Sequence, residues 1–305
     1  MSILVIGSSN TDLVVRSPRM PKPGETILGG EFFVNPGGKG ANQAVGAARV
    51  GADVTFCCRV GDDDYGKSSK ALFEKEKINT EYVYKTEGCP SGVAVIVVDS
   101  NAENSIVVAS GANLRLAPDD IDAVRDFGSF DVALAQLETP LETIAAAARR
   151  CGEEGVRFVL NPAPAQKLPA SILSKVDIIT PNETETEILT GIKVEDDSSA
   201  ARAAQALCDL GVRTVIITLG SKGAYLYQDG KGELIPAFKT KPVDTTAAGD
   251  IFNGALCAAI SEGRNIREAI LFAQAASSIS VTRMGAQSSA PSRSEVDSVI
   301  ETIKN

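Results

Sequence analysis

No histidine occurs anywhere in the 305 residues. Its absence excludes a Ser-His-Asp triad, an imidazole general base and every histidine-containing metal site. Proton abstraction near neutral pH is left to a carboxylate, a lysine, a cysteine or a metal-bound water. Tryptophan is also missing and aromatic residues make up only 5% of the chain, so a ring that clamps a ligand must come from a short list in which Phe32, Phe33 and Phe56 are candidates. Basic residues are in deficit, 30 against 39 acidic ones, for a net charge of -9. Nucleic acid and anionic membranes both want a concentrated basic surface, so neither is expected as the main partner. A nucleotide substrate needs only local neutralisation and stays open. Long apolar runs are lacking too: windows such as 94–98 and 215–219 suit buried strands and are far too short to span a bilayer. The chain enters Ile3-Leu4-Val5-Ile6-Gly7 without a basic head or a cleavable apolar run, so no export signal is expected. Six cysteines with no CxxC, two of them the adjacent Cys57 and Cys58, fit a reduced cytoplasmic enzyme.

By length, one large or two medium domains are open. Strand and helix patterns alternate along the chain: a buried strand at 3–6, a helix at 41–49, a strand at 53–58 and a helix at 66–76. Beyond Asp131 the rhythm is regular, with strands at 132–135, 157–160, 176–180 and 214–219 and helices at 142–153, 199–209, 251–261 and 266–281. Such repetition predicts an α/β fold, a central and mostly parallel sheet between helical layers, with ligands at the carboxyl ends of the strands. Two stretches break the rhythm. Residues 25–34 and 92–108 alternate and are rich in turn formers, with a polar loop at 99–104 between 93–98 and 105–108. They predict antiparallel ribbons forming a small extra sheet, a lid or an oligomer contact or both. An edge extension of the main sheet is the plainer alternative.

The most telling segment is Val243-Asp244-Thr245-Thr246-Ala247-Ala248-Gly249-Asp250, which runs into Ile251-Phe252-Asn253-Gly254-Ala255. Small residues and a glycine just before a carboxylate, at what the following apolar period marks as a helix start, build a cradle of backbone N–H groups for an anion beside a base. A carboxylate base suffices when the proton leaves an alcohol whose oxygen is attacking at the same moment, which is the situation in phosphoryl transfer. The bland alternative for Asp250 is a helix cap. Far upstream, Pro36-Gly37-Gly38-Lys39-Gly40-Ala41-Asn42-Gln43-Ala44 offers close backbone approach, with Lys39 and Asn42 as donors to hydroxyls or phosphate.

Other local motifs carry less. Gly61-Asp62-Asp63-Asp64 points its carboxylates in different directions without EF-hand spacing, and reads as a solvated turn. Gly220-Ser221-Lys222-Gly223 lacks Walker spacing, so it is no P-loop, yet its place after a strand suits a turn lying on nucleotide phosphates. Gly7-Ser8-Ser9-Asn10 lacks the three spaced glycines of a dinucleotide fingerprint.

Seven segments then align in order: GSSNTD at 7–12, PGE at 23–25, GGKGANQAV at 37–45, NPAPA at 161–165, TPNETE at 180–185, ITLGSKG at 217–223 and VDTTAAGDIFNGAL at 243–256. In these the chain resembles the ribokinase-like (pfkB) family of carbohydrate kinases, over essentially its whole length. The resemblance implies one kinase domain over 1–305 with a β-sheet lid from approximately 12–36 and 92–109. It implies transfer of the ATP γ-phosphate to a primary sugar hydroxyl, the 5-hydroxyl of D-ribose being the expected acceptor, with Mg2+ and K+ as cofactors and a homodimer formed through the lids. A related kinase for deoxyribose, fructose or adenosine is the alternative. A noncatalytic sugar-binding protein would have no use for Asp250 with its cradle.

The same resemblance assigns residues. Asp250 becomes the base, with the amides of Ala247, Ala248, Gly249 and Asp250 holding the transferred phosphoryl group. Asn10, Asp12, Gly38, Lys39, Asn42 and Glu138 match ribose-binding positions, a plain surface ion pair being the alternative for Lys39 and Glu138. Asn182 and Glu185 match a pattern of the Mg2+ and phosphate region, Glu185 acting through metal-bound water; simple capping of a helix over 185–189 is the alternative. Thr218, Gly220, Ser221 and Gly223 match nucleotide contacts, together with Gly249. Asp244, Thr246, Ser280, Arg283, Gly285 and Ser289 match the loop around a monovalent cation. Two positions depart from the pattern: Ala247 stands where the wider family usually has glycine, and Gln274, near the expected adenine pocket, replaces a ring that would stack on the base.

Overall fold

The computed structural model describes residues 1–101 and 103–304. The chain opens with β1 (Ser2–Ile6), β2 (Asn10–Arg16) and β3 (Glu31–Gly37), followed by α1 (Lys39–Arg49), β4 (Asp53–Gly61), α2 (Asp64–Lys75) and β5 (Val83–Thr86). A hairpin of β6 (Gly92–Val98) and β7 (Asn104–Ala109) leads into α3 (Pro118–Asp122), β8 (Val132–Ala135), α4 (Leu141–Glu154), β9 (Arg157–Leu160), α5 (Ala170–Leu173) and β10 (Ile178–Ile179). Then come α6 (Glu183–Thr190), α7 (Asp197–Asp209), β11 (Thr214–Thr218), the hairpin β12 (Gly223–Gln228) and β13 (Lys231–Pro236), and the helices α8 (Ala248–Ser261), α9 (Ile266–Ser280) and α10 (Arg293–Lys304).

Nine strands form the main sheet in the order β13-β12-β11-β10-β9-β8-β1-β4-β5. Pairing is parallel from β5 to β11 and antiparallel only for β12 and β13, so the expected α/β class holds. Strand β1 shows why helices cover both faces. Ile3 and Val5 enter the core beneath α1, α8 and α9, whereas Leu4 and Ile6 enter the opposite core beneath α4 and α7. Both sets are fully buried, as a period of two demands of a strand apolar on each side.

Four strands form the second sheet, in the order β3-β2-β6-β7. It is a separate sheet, and the edge-extension alternative is set aside. β2 pairs antiparallel with β3, β6 pairs antiparallel with β7, and the two hairpins meet through parallel β2 and β6.

Several expectations are corrected. Residues 25–30 carry no strand; the ribbon begins at Glu31, because Gly29 and Gly30 take left-handed φ of 92° and 124° just before it. Strand β2 was not anticipated, since Leu13-Val14-Val15 shows no alternation. The strand expected at 176–180 shrinks to Ile178–Ile179, while β5, the β12–β13 hairpin and α10 were not read at all. Of the loop expected at 99–104, position 102 lies outside the described residues. Asp63 is no solvated turn residue: it caps α2 by accepting from Gly66 N at 2.8 Å and binds Ser91 through N at 2.7 Å and Oγ at 2.6 Å. Among the described residues no group of three or more Cys, Asp or Glu side chains is arranged to hold a metal.

The feature that brings the two telling motifs together is the contact of α1 with α8. A Cβ built on Gly254 would lie 2.4 Å from Gln43 O, and one on Gly46 would lie 3.2 Å from Ile251 Cδ1. Bare glycine surfaces thus let the two helices touch backbone to backbone. Replacing Gly254 by alanine is expected to push α8 away from α1, lowering stability by about 1–3 kcal/mol as core overpacking does and reducing kcat with it. Thermal unfolding and steady-state rates of Gly254→Ala check this; an unchanged Tm means that the contact is not tight.

Candidate active site

The start of α1 is built on glycines. A Cβ at Gly38, where φ is 89°, would sit 2.6 Å from Asn10 N, and one at Gly40 would sit 2.5 Å from Ser8 N. One at Gly37 would sit 2.3 Å from each carboxylate oxygen of Asp12. These glycines therefore make room for the turn between β1 and β2 and for Asp12. The backbone of that turn and the first residues of α1 become the floor of a polar cup.

Asp250 lies in the first turn of α8, 7% exposed. It is not the cap: Ala247 takes that place, with a left-handed φ of 58° and no side-chain cap bond. A non-glycine residue in that region is strained by about 1–2 kcal/mol. The carboxylate of Asp250 turns instead toward α1, where Oδ2 accepts from Asn42 Nδ2 at 3.0 Å and Oδ1 from Gln43 Nε2 at 2.9 Å. Gln43 also donates to Asn161 Oδ1 at 3.0 Å and accepts from Gln136 Nε2 at 2.6 Å. Asn161 Nδ2 donates to Thr180 O at 3.2 Å, Thr180 Oγ1 to Asn253 Oδ1 at 2.6 Å, and Asn253 Nδ2 to Gly249 O at 2.8 Å, which closes the circuit on α8. Gln43, Gln136, Asn161 and Asn253 were missed at the level of sequence. Gln43 alone gave a signal, a polar residue between the apolar Ala41, Ala44 and Val45.

Ahead of Asp250 the helix end is open. Ala248 N donates to Thr245 O at 3.2 Å, but the amides of Gly249 and Asp250 lie in the first turn, beyond reach of any helical carbonyl. A Cβ built on Gly249 would meet nothing within 4 Å. The buried carboxylate and the open amides thus share one turn of helix.

The remaining cup residues converge from other elements. Asn10 Oδ1 accepts from Asn113 Nδ2 at 2.7 Å, and Asn113 Oδ1 accepts from Ser9 N at 2.9 Å. Glu138 Oε2 accepts from Ser8 Oγ and, at 3.1 Å, from the main-chain Lys39 N, so Glu138 is more than one half of a surface ion pair. The fields of Asp250, Glu138 and Glu185 hold the Lys39 ammonium charged against the effect of burial. Burial, then the charges of Glu138 and Asp250, push the Asp12 carboxyl up to about 6. Asn42 Oδ1 is buried with no protein partner, an acceptor awaiting a donor.

A polar cup, a buried carboxylate and an open helix end are what transfer of an anionic group to a hydroxyl needs. The sequence profile of the pfkB family carbohydrate kinases matches residues 1–293. The chain belongs to that family. It is 47% identical over 301 residues to the ribokinase of Haemophilus influenzae, with 98% of each chain covered. It is 41% identical over 294 residues to the deoxyribokinase of Salmonella typhi, with 96% of each covered. Among solved structures, the ribokinase of Arabidopsis thaliana complexed with ribose and ATP superposes with a TM-score of 0.91 at 35% identity over 98% of each chain. The ribokinase of Thermotoga maritima does so with a TM-score of 0.89 at 40% identity, covering 98% of this chain and 99% of that one.

On the far side of the cradle, the kinase brings further expected positions together. Asn182 and Glu185 form a reciprocal capping box at 2.8 Å each way, so the capping alternative is realised. Glu185 nevertheless faces the site: burial pushes its carboxyl up, the Asn182 amide and Lys39 pull it down, and Asp250 raises it. Thr218 ends β11 beside Pro181, and the exposed Gly220 and Ser221 form the turn beyond it. Gly223 owes its glycine to the hairpin, since a Cβ there would lie 2.1 Å from Ile235 O. Gln274, 6% exposed, donates to that same Ile235 O at 2.9 Å and leaves Oε1 without a partner.

The six positions of the expected cation loop resolve into a group of three, a pair and one residue whose side chain turns elsewhere. Asp244 accepts from Thr246 N at 2.9 Å and Gly285 N at 2.8 Å; burial alone would raise its carboxyl, and these bonds outweigh it and hold it below the usual range. Ser280 Oγ and Ser289 Oγ share a bond of 2.7 Å. Arg283 turns its guanidinium away to Glu295, leaving only its backbone for the loop.

Asp12 gives a pH test. Ionised, its carboxylate offers only acceptors; protonated, it is one acceptor short, and the charged groups that act on it are Glu138 and Asp250. The sugar KM is therefore expected to rise as the pH falls through about 6, the value to which this carboxyl is pushed, and Asp12→Asn should show a high KM without that limb. Steady-state kinetics from pH 5 to 8 check it; a flat wild-type profile removes Asp12 from the sugar contacts.

Proposed function

We propose that this kinase transfers the γ-phosphate of ATP to the 5-hydroxyl of D-ribose, giving D-ribose 5-phosphate. The observation that carries it is the union of Asp250 and the open amides on one helical turn, with the hydroxyl-reading cup beside them. In this reading Asp250 takes the proton of the 5-hydroxyl as its oxygen attacks, and the amides of Ala247 to Asp250 meet the charge on the transferred phosphoryl oxygens. Asn10, Asp12, Gly38, Lys39, Asn42 and Glu138 pair with the ring hydroxyls. Thr218, Gly220, Ser221 and Gly223 line the nucleotide with Asn182. Gln274 offers a fixed acceptor, Oε1, which suits the 6-amino group of adenine and not the 6-oxygen of guanine.

Mg2+ would neutralise phosphate charge when bound. An all-protein cage is not what Mg2+ requires, and Glu185, through water, is the residue placed to face it. K+ would stiffen the loop ahead of the cradle, and the oxygen donors of Asp244, Ser280 and Ser289 suit a hard cation. The six cysteines are free thiols, four of them buried, which supports a reducing, cytoplasmic setting. Among the described residues no helix is long and apolar enough to cross a membrane.

A lid-mediated homodimer fits the second sheet. By register Val34, Leu13, Val95 and Val107 stand in one row on the face opposite Asp12. Phe32 is 62% exposed and Val107 71%, an apolar stripe that a second copy would cover. Val107→Asp is expected to convert a dimer to monomers in sedimentation velocity, and a wild type that sediments as a monomer at micromolar concentration overturns the dimer.

The 41% identity to a deoxyribokinase favours one competing reading, 2-deoxyribose as the substrate. A buried carboxylate such as Asp12 penalises a sugar lacking the hydroxyl it would bind, typically by about 1–3 kcal/mol. Ribose is thus expected to exceed 2-deoxyribose clearly in kcat/KM, with Asp12→Ala narrowing the ratio. Asp250→Asn is expected to lower kcat by about 10²- to 10⁴-fold with ribose affinity kept within a few fold. Equal use of the two sugars by the wild type replaces ribose with a broader pentose specificity, and an Asp250→Asn variant retaining more than about a tenth of kcat removes the general base.

A further inference from the structure

Gln43 is fully buried, so it touches neither sugar nor nucleotide, yet it donates to the presumed base. We infer that Gln43 is the positioning residue that locks Oδ1 of Asp250 and thereby makes Oδ2 the oxygen that receives the substrate proton. This rests on the reading of Asp250 as the base.

The orientation of the Asn161, Gln43 and Gln136 amides follows from one main-chain atom. Thr180 O can only accept, so the Asn161 group facing it at 3.2 Å is Nδ2, and Asn161 Oδ1 must face Gln43. Gln43 consequently turns Nε2 toward Asn161 and Asp250, giving one hydrogen to each, and turns Oε1 to the Nε2 of Gln136. Flipping Gln43 would set its oxygen against two other oxygens and its nitrogen against a nitrogen. Neither Gln43 nor Asn161 has a second satisfied state.

Oδ2 differs. Its partner Asn42 belongs to the cup, and the Oδ1 of Asn42 is buried without a partner, so Asn42 can exchange its bond for one to substrate. In the step itself the substrate O–H bond breaks and its proton passes to Oδ2. The oxygen forms the new bond to the γ-phosphorus, and the bond from that phosphorus to the β–γ bridging oxygen breaks, its electron pair leaving with ADP. Throughout, the Gln43 N–H stays on Oδ1, which leaves Oδ2 to the proton.

The test uses the full chain. Gln43→Met, close in volume but without a donor, is expected to lower kcat by about 10- to 100-fold, with both KM values within about twofold. The acidic limb of its kcat–pH profile should move upward by about one unit. Gln136→Met loses the far end of the relay without losing the donor to Asp250, and should lower Tm while leaving the limb in place. A lower Tm with an unmoved limb in Gln43→Met reduces Gln43 to a structural part and overturns the inference, even where Asp250→Asn is inactive and the base stands. If Gln43→Met does not fold, Gln43→Glu keeps the shape. It adds a negative charge beside Asp250, and its limb must move upward too; an unmoved limb overturns the inference equally. An active Asp250→Asn, by contrast, removes the base itself.

Discussion

The buried charge of Asp250 is the constraint on which the rest of the site depends. A carboxylate taken out of water is expensive unless donors surround it. Here two side-chain amides reach it from α1, and the first turn of α8 adds its unsatisfied N–H groups and the positive end of its dipole. Both supports require α1 and α8 to meet at their N-terminal ends, and Gly46 and Gly254 let them do so. The strands obey the same demand. β8, β9 and β10 run apolar to their carboxyl ends and are followed by Gln136, Asn161 and Thr180, the polar residues that complete the circuit.

Charge balance explains why so acidic a chain can handle a polyanion. Asp12 takes the fields of Glu138 and Asp250, and Lys39 is the cation on which Asp250, Glu138 and Glu185 act. Three carboxylates suit a neutral sugar rich in hydroxyls, because each ionised oxygen is an acceptor and none needs a counter-charge from the ligand. The open amides of α8 suit an anion differently, through backbone dipoles that add no net charge. Separating the two tasks in this way places acceptors on one side of Asp250 and donors on the other.

The parts legible in the sequence are those that local pattern determines. Strand runs such as residues 132–135 and 157–160 were read to the residue, and the helix behind Thr245-Thr246-Ala247-Ala248-Gly249 needed only a shift of its start to Ala248. Helix starts at Lys39 and Asp64 likewise lie two residues before the expected starts at Ala41 and Gly66. What escaped is what distance decides. Gln43 and Asn161 are 118 residues apart, and no periodicity announces their bond. Glycines 37, 38 and 40 looked like space for a ligand because a sequence does not show what faces a missing Cβ; the neighbours turned out to be Asp12, Asn10 and Ser8. Glu185 shows the reverse, a residue whose local role as half of a capping box is real and whose field still reaches Lys39 and Asp250.

Strand β2 separates two faces of the small sheet through its register. Asp12 and Leu13 are neighbours, so they point to opposite faces of the small sheet: Asp12 over bare Gly37 toward the cup, Leu13 into the apolar row with Val34 and Val95. A slip of one residue would exchange those faces, burying the carboxylate in the row and turning an apolar side chain to the sugar. Gly37 guards against that slip, because only a residue without a side chain leaves space for both Asp12 oxygens 2.3 Å from its Cβ position. The glycine that opens the motif before α1 therefore sets the register of the second sheet, and with it the side of the molecule on which the exposed stripe lies.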